Sequence, residues 1–318
     1  MRERKNGQYA FGVDIGGTSV KLGLFDIEGI LLEKWEIPTV TANGGEAILP
    51  DTARSIQTKM QERGLSEEDL AGIGIGAPGA IDDEGTLVVG AVNLGWGAFS
   101  IPQAMREYFS VPVKAANDAN AAAFGEMWQG GGKGCRNMVA VTLGTGVGGG
   151  IIVNGQIVTG ASGAGGEIGH IHIEDHEMES CNCKNKGCLE QYASATGIVR
   201  LAKRRLEKDG APSMLRGGAL SAKAVFDAVK QKDPVAEEIA IQFGDYLGKG
   251  LAVVAGVVNP EIFVIGGGVS KAGEILFDYI RPPYEKYVFE PCRSAEFTLA
   301  TLGNDAGIYG AAGLILRG

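Results

Sequence analysis

With 318 residues, 45% of them apolar and 21% charged, the chain has the composition of a soluble globular protein, long enough for one large core or two medium ones. A formal charge of −9 excludes a general affinity for nucleic acid or anionic membranes but allows a locally positive nucleotide pocket. No apolar run reaches the roughly 18 residues of a membrane helix, and the charged start, Met1 to Gln8, lacks a secretory core, so a cytoplasmic protein without membrane partners is expected.

In chain order, Tyr9–Asp14, Ser19–Asp26 and Ile30–Pro38 read as a β-meander, with glycines and acidic residues at the turns. A helix over Gly45–Arg63 ends near Gly64, and a buried strand, Leu70–Gly76, runs into the loop Ala77-Pro78-Gly79. An irregular stretch through Asn93-Leu94-Gly95-Trp96 leads to a helix near Pro102–Phe109 and a strand at Val111–Ala116. The second half restarts the pattern. Asn117–Trp128 reads as a loop entering an alanine-rich helix, and Met138–Leu143, Gly148–Asn154 and Gln156–Thr159 as strands. Helices follow at Ser194–Lys208, Ala222–Lys230 and Pro234–Val258, the last with Ile239, Phe243, Leu247, Leu251 and Val254 at helical spacing. The chain closes with a strand at Glu261–Ile265, a helix at Gly273–Tyr287, a strand at Phe297–Leu302 and a helix from Ala306.

The 51 glycines gather in short runs beside apolar segments, and three runs stand at strand ends. In Asp14-Ile15-Gly16-Gly17-Thr18, bare backbone lets N–H groups converge on phosphate oxygens. There Thr18 adds a hydroxyl, Asp14 is placed for Mg²⁺, and Lys21 projects toward the same mouth. Gly144-Thr145-Gly146 offers a second cradle, for β- and γ-phosphates, and Gly266-Gly267-Gly268 offers backbone, chiefly at Gly267 and Gly268, for a base or ribose. Together they are similar to the nucleotide site of the actin-like ATPase superfamily. The expected fold is therefore α/β, a duplicated actin-like (ribonuclease H-like) arrangement. Its small N-terminal domain is formed by residues 1–117 and 306–318 and its large C-terminal domain by 118–305, around a nucleotide and sugar cleft.

Asn117-Asp118 joins a strand to a helix, where a carboxylate is held ionised by the helix N-terminus and can take a proton from a sugar hydroxyl; an ordinary helix cap is the plainer reading. Glu167 and His170, three apart in a glycine-rich stretch, can address adjacent hydroxyls of one ring. Cys181, Cys183 and Cys188 lie within eight residues. Three cysteines and one histidine make a closed tetrahedral zinc set, structural and not hydrolytic, with His170 as fourth ligand and His172 and His176 as rivals. Cys135 and Cys292 are isolated.

The motifs Asp14-Ile-Gly-Gly-Thr18, Gly76-Ala-Pro-Gly79, Asn117-Asp118-Ala-Asn120, Leu143-Gly-Thr-Gly146, Glu167-Ile-Gly-His170 and Cys181-x-Cys183-x4-Cys188-x-Glu190 occur in one order along the whole chain. In this it resembles the ROK family (repressors, open reading frames, kinases), and within it the bacterial glucokinases. The resemblance implies an ATP- and Mg²⁺-dependent hexose kinase with structural zinc, acting on the 6-hydroxyl of glucose and working as a homodimer. Mannose, fructose, N-acetylglucosamine and N-acetylmannosamine kinases share the framework. It implies Asp118 as catalytic base, and Gly79, Asn93, Asn117, Glu167, His170 and Glu190, with Asp118, as sugar contacts. His170 would bind zinc with the three cysteines while its ring edge meets the sugar. The chain departs from the family pattern at Lys184, where a glycine is usual, and at Gly90-Ala-Val before Asn93. A sugar-responsive repressor of the same family would need a DNA-binding segment ahead of the first glycine loop, and only about a dozen residues precede Asp14. A chaperone-like ATPase would lack the histidine and cysteine cluster.

Overall fold

The computed structural model describes residues 7–87 and 89–318, so Met1 to Asn6 of the charged start lie outside the described residues. Two compact units emerge. The first holds the described residues up to Gly134 together with Gly150–Gly166 and Thr301–Gly318; the second holds Cys135–Gly149 and Glu167–Ala300.

The first unit opens with β1 (Tyr9–Ile15), β2 (Ser19–Asp26) and β3 (Leu31–Pro38), then α1 (Ala42–Gly45), α2 (Ile48–Arg63) and β4 (Leu70–Ala77). It continues with the two-residue strands β5 (Thr86–Leu87) and β6 (Phe99–Ser100), α3 (Ile101–Met105), β7 (Val113–Asn117) and α4 (Asp118–Gln129). The sheet order is β3-β2-β1-β4-β7, an antiparallel meander followed by two strands parallel to β1. Central strands are near-continuously apolar because both faces are covered, whereas β3, at the edge, alternates half-buried and exposed residues. One face of α2 (Ile48, Leu49, Ala53, Ile56 and Met60) joins Phe11, Val13, Ile73 and Ile75 in the core. The helix stops where Gly64 turns left-handed and its N–H caps the Met60 and Gln61 carbonyls. The helix expected from Gly45 begins instead at Ile48, because Gly45, like Asn43 and Gly44 before it, adopts positive φ.

The second sheet repeats the order: β10-β9-β8-β11-β12. Here β8 (Met138–Leu143), β11 (Ile262–Gly266) and β12 (Glu296–Leu299) run parallel, and β9 (Val147–Val153) forms a hairpin with β10 (Gln156–Ile157). The repeated order is the duplicated α/β arrangement that the sequence led us to expect. The second unit's helices are α5 (Glu190–Ala193), α6 (Ala195–Lys208), α7 (Ala222–Lys230), α8 (Pro234–Val258) and α9 (Ile275–Tyr287). The 25-residue α8 starts on Asp233, which accepts from the Val235 and Ala236 amides ahead of Pro234, and buries the five apolar residues expected from their spacing.

The last helix, α10 (Ala306–Leu316), returns to the first unit and packs on β1, β4 and α4. Contact with α4 is close: a β-carbon on Gly310 would lie 1.6 Å from the Ala121 carbonyl oxygen. This packing puts α4 in the first unit, and the chain leaves that unit after Gly134, beyond α4 and not at Asn117. Among the described residues no helix is long and apolar enough to cross a membrane.

Candidate active site

In the first unit, strand pairing gathers the candidate residues at the carboxyl ends of β1, β4 and β7. Asp14 pairs with Lys21 on β2 and with Gly76 on β4, and Ala77 pairs with Asn117 on β7. Half-buried Gly16 and exposed Gly17 and Thr18 form the turn after β1, held from behind where Thr39 Oγ1 donates to the Gly16 carbonyl at 2.7 Å. Asn93 sits beside this turn, with its Nδ2 3.9 Å from where a β-carbon on Gly17 would stand. Lys21 Nζ donates to the Asn304 carbonyl at 3.2 Å.

Asn117 does two things at once. Its Oδ1 accepts from the Ala119 and Asn120 amides and caps α4, so the helix begins at Asp118 directly and not after a loop. Its Nδ2 donates to the Gly79 carbonyl at 3.0 Å and fixes the loop after β4. Asp118 is thereby the first helical residue, and its Oδ1 accepts from the Ala119 amide at 2.8 Å. Burial raises its pKa above the ordinary carboxylate value. The hydrogen bonds from Ala119 and Asn117 oppose that rise without cancelling it, so the helix terminus alone does not set the charge as the sequence led us to expect. A half-buried carboxylate of raised pKa is a stronger proton acceptor than an exposed one.

Asp14 is affected more. Burial pushes it to about 6, partly offset by Lys21 and reinforced by Asp118. Its carboxylate lies against the first turn of α10, where a β-carbon on Gly307 would come within 2.6 Å of Oδ2. Burial opposes charge on both carboxylates, a cost that a divalent cation beside them would relieve. Asp14→Asn tests this. The raised acid contributes stability that is full below about 4 and lost as pH rises through about 6, so the asparagine variant is expected to out-stabilise the parent at pH 8. The gain is of order 2–3 kcal/mol and vanishes below pH ~4. Thermal melts of both proteins from pH 4 to 8, free of nucleotide and divalent ions, check it; a pH-independent difference contradicts it.

In the second unit, Gly144, Thr145 and Gly146 turn between β8 and β9, with the Gly144 amide donating to the Gly146 carbonyl at 3.0 Å. Because Gly266 pairs with Thr142, the Gly266–Gly268 turn lies next to this loop. Ser270 Oγ donates to the Gly267 carbonyl at 2.8 Å and closes that turn. An open groove of about 650 Å³ beside Thr145 is lined by Thr196, Arg200, Lys203, Leu220 and Ser221.

Also in this unit, His170 Nδ1 lies 3.8 Å from Cys181 Sγ, Cys183 and Cys188 bring their sulfurs to 3.5 Å, and the four ligand atoms all fall within 4.8 Å of one another. A tetrahedral ion with metal–sulfur bonds near 2.3 Å requires edges of roughly 3.8 Å, so the set fits zinc. His172 is engaged elsewhere, by Asp175 at 2.8 Å and the Lys186 carbonyl at 2.9 Å. The other ring nitrogen of His170, Nε2, stands 4.0 Å from Glu167. Glu190 Oε1 accepts from Cys181 Sγ at 2.9 Å. Glu167, His170, Glu190 and the cysteines are thus one neighbourhood.

Sequence reasoning does not single out Thr39 or the pair Ser194 and Thr196, which hold the glycine loops from behind. Ser194 carries a signal, since a serine opening an amphipathic run is a helix cap, and its Oγ accepts from the Gly197 amide.

The ROK family profile matches residues 10–317. A glucokinase from Halalkalibacterium halodurans is 44% identical over 309 residues, covering 96% of this chain and 94% of that one. Among solved structures, the ROK hexokinase from Thermus thermophilus superposes with a TM-score of 0.79 at 31% identity, covering 96% of each chain. A ROK family glucokinase from Streptomyces griseus, in complex with glucose and AMPPNP, gives 0.73 at 34% identity, covering 98% of this chain and all of that one.

Proposed function

Because the chain belongs to the ROK family, its residues 10–317 matching that family throughout, we propose that it is an ATP-dependent glucokinase, moving the γ-phosphoryl group of ATP to the 6-hydroxyl of glucose. The observation that carries this reading is the half-buried carboxylate of Asp118, proton-seeking by burial, at the head of α4 in the unit that holds the Asp14–Thr18 loop. Asp118 orients the sugar hydroxyl and takes its proton as the oxygen–phosphorus bond forms and the bond to ADP breaks. By resemblance to the family, Gly79, Asn93, Asn117, Glu167, His170 and Glu190 are the residues for the remaining hydroxyls. Amides of Gly16, Gly17, Gly144, Thr145 and Gly146 and the Thr18 hydroxyl receive phosphate oxygens, Lys21 offsets their charge, and Gly267 and Gly268 face the nucleoside. Asp14 holds Mg²⁺, which supplies charge neutralisation at the transferring phosphate.

Zinc held by His170, Cys181, Cys183 and Cys188 supplies fixed bonds that stiffen the loop carrying Glu167 and Glu190. The protein works in the cytoplasm, where thiols stay reduced, as the five unpaired cysteines support. It works as a homodimer, a reading that the outward apolar residues Ile241, Val253 and Val257 of α8 support. A coupled assay of ADP release over glucose, mannose, fructose, N-acetylglucosamine and N-acetylmannosamine tests the function: glucose gives the highest kcat/KM, and turnover without sugar is negligible. Equal ADP release with and without hexose would overturn it.

A further inference from the structure

Nothing in the proposed chemistry uses the start of α6, yet that turn grips the second glycine loop. The Ala195 amide donates to the Gly144 carbonyl at 2.8 Å, and Thr196 Oγ1 donates to the Thr145 carbonyl at 2.7 Å. Ser194, fully buried, donates its hydroxyl proton to the Glu190 carbonyl at 2.7 Å and accepts from the Gly197 amide at 3.0 Å. Its oxygen lies 2.9 Å from that of Thr196. With the Ser194 proton on the Glu190 carbonyl, the Thr196 proton serves the Thr145 carbonyl, and Ser194 fixes the cap beneath it.

In a trans peptide the C=O and the following N–H point in opposite directions. Drawing the Gly144 and Thr145 carbonyls onto α6 therefore aims the Thr145 and Gly146 amides away from it. Beyond the Gly144 amide's bond to the Gly146 carbonyl, a loop of this length and glycine content has little else to set those peptide planes. We infer that Thr196 is a positioning residue for phosphoryl-donor binding, its hydroxyl orienting the Thr145–Gly146 peptide so that the Gly146 amide faces a phosphate oxygen. The inference rests on the reading that Gly144–Gly146 hold donor phosphates.

The Thr196→Val variant keeps the side chain's shape and loses the hydroxyl. It is expected to raise the KM for ATP roughly tenfold, the scale of one hydrogen bond to a charged oxygen, with the KM for glucose and the Tm near the parent's, and Thr196→Ser restores the KM for ATP. Amide exchange across residues 143–147, with and without AMPPNP, accompanies the kinetics: the nucleotide protects this segment in the parent and markedly less in Thr196→Val. Protection and KM for ATP unchanged in the variant overturn the inference while leaving the donor site standing. Absent protection in the parent itself overturns the donor-site reading, and the inference with it. A rise in both KM values together with a fall in Tm assigns Thr196 a merely structural role and also overturns the inference. Should Thr196→Val not fold, Thr196→Ala is read in the same way.

Discussion

Asp118→Asn is expected to fold as the parent does and to lose about three orders of magnitude in kcat, with the KM for ATP little changed. Asparagine keeps the shape, can still accept from the Ala119 amide, and suits the first turn of α4, so the fold has no reason to suffer. What disappears is the only group at that position able to take a proton. A positioned general base is worth about 10²–10⁴ in rate, and the upper half applies where the nucleophile is an alcohol that must lose its proton during transfer. The pH profile adds a second reading. Burial raises Asp118, so its share of the acid limb of kcat/KM in the parent lies above the ordinary carboxylate range; in the variant that share is gone and the limb left is that of Asp14, near 6. Steady-state kinetics from pH 5 to 9 on both proteins check this. A variant retaining more than about a tenth of kcat removes Asp118 from the role of base.

The second large effect concerns the cysteine cluster. Cys188 is almost fully buried and its amide is tied to Gln191, so the loop and the start of α5 share one anchor. If the four ligands hold zinc, Cys188→Ser removes one of four bonds and leaves a hydroxyl in a site shaped for sulfur. Stoichiometric zinc in the parent, measured by plasma mass spectrometry, is expected to fall below a fifth of an equivalent in the variant. The Tm should drop by roughly 10 °C, corresponding to a loss of about 3–5 kcal/mol in a unit of this size. Glucose affinity should fall with it, since Glu167, His170 and Glu190 surround the cluster. A metal-free parent of unchanged stability and activity would show that the thiols need no ion.

Much of this architecture was legible because local pattern and tertiary packing agree. The alternation of β2 and β3, the apolar run of β1 and the spacing along α8 each have one physical solution, and the glycine loops announced themselves at strand ends. Boundaries set by backbone conformation were less legible. Gly45 reads as the start of a helix, but it closes a run of three positive φ values and the helix begins only at Ile48. At Asn117 the reverse held: the cap shortens an expected loop to nothing. That α4 packs with α10 from the far end of the chain depends on Gly310 meeting Ala121, a contact between residues far apart in sequence that no local pattern encodes. The roles of Thr39 and Thr196 were hidden for the same reason, since each acts through a carbonyl of a loop remote from it along the chain. The cysteines were the opposite case. Spacing alone left three histidines in contention; the fold brings His170 together with the three sulfurs, all within 4.8 Å of one another, while His172 is engaged by Asp175.

The most direct measurement is the position of the phosphoryl group in the product. Purified protein given ATP, Mg²⁺ and glucose should yield one sugar phosphate whose phosphorus couples to the two C6 protons in ³¹P–¹H NMR, formed in equal amount with ADP. Inorganic phosphate in place of a sugar ester, or phosphorus coupled to any other ring position, would contradict the account.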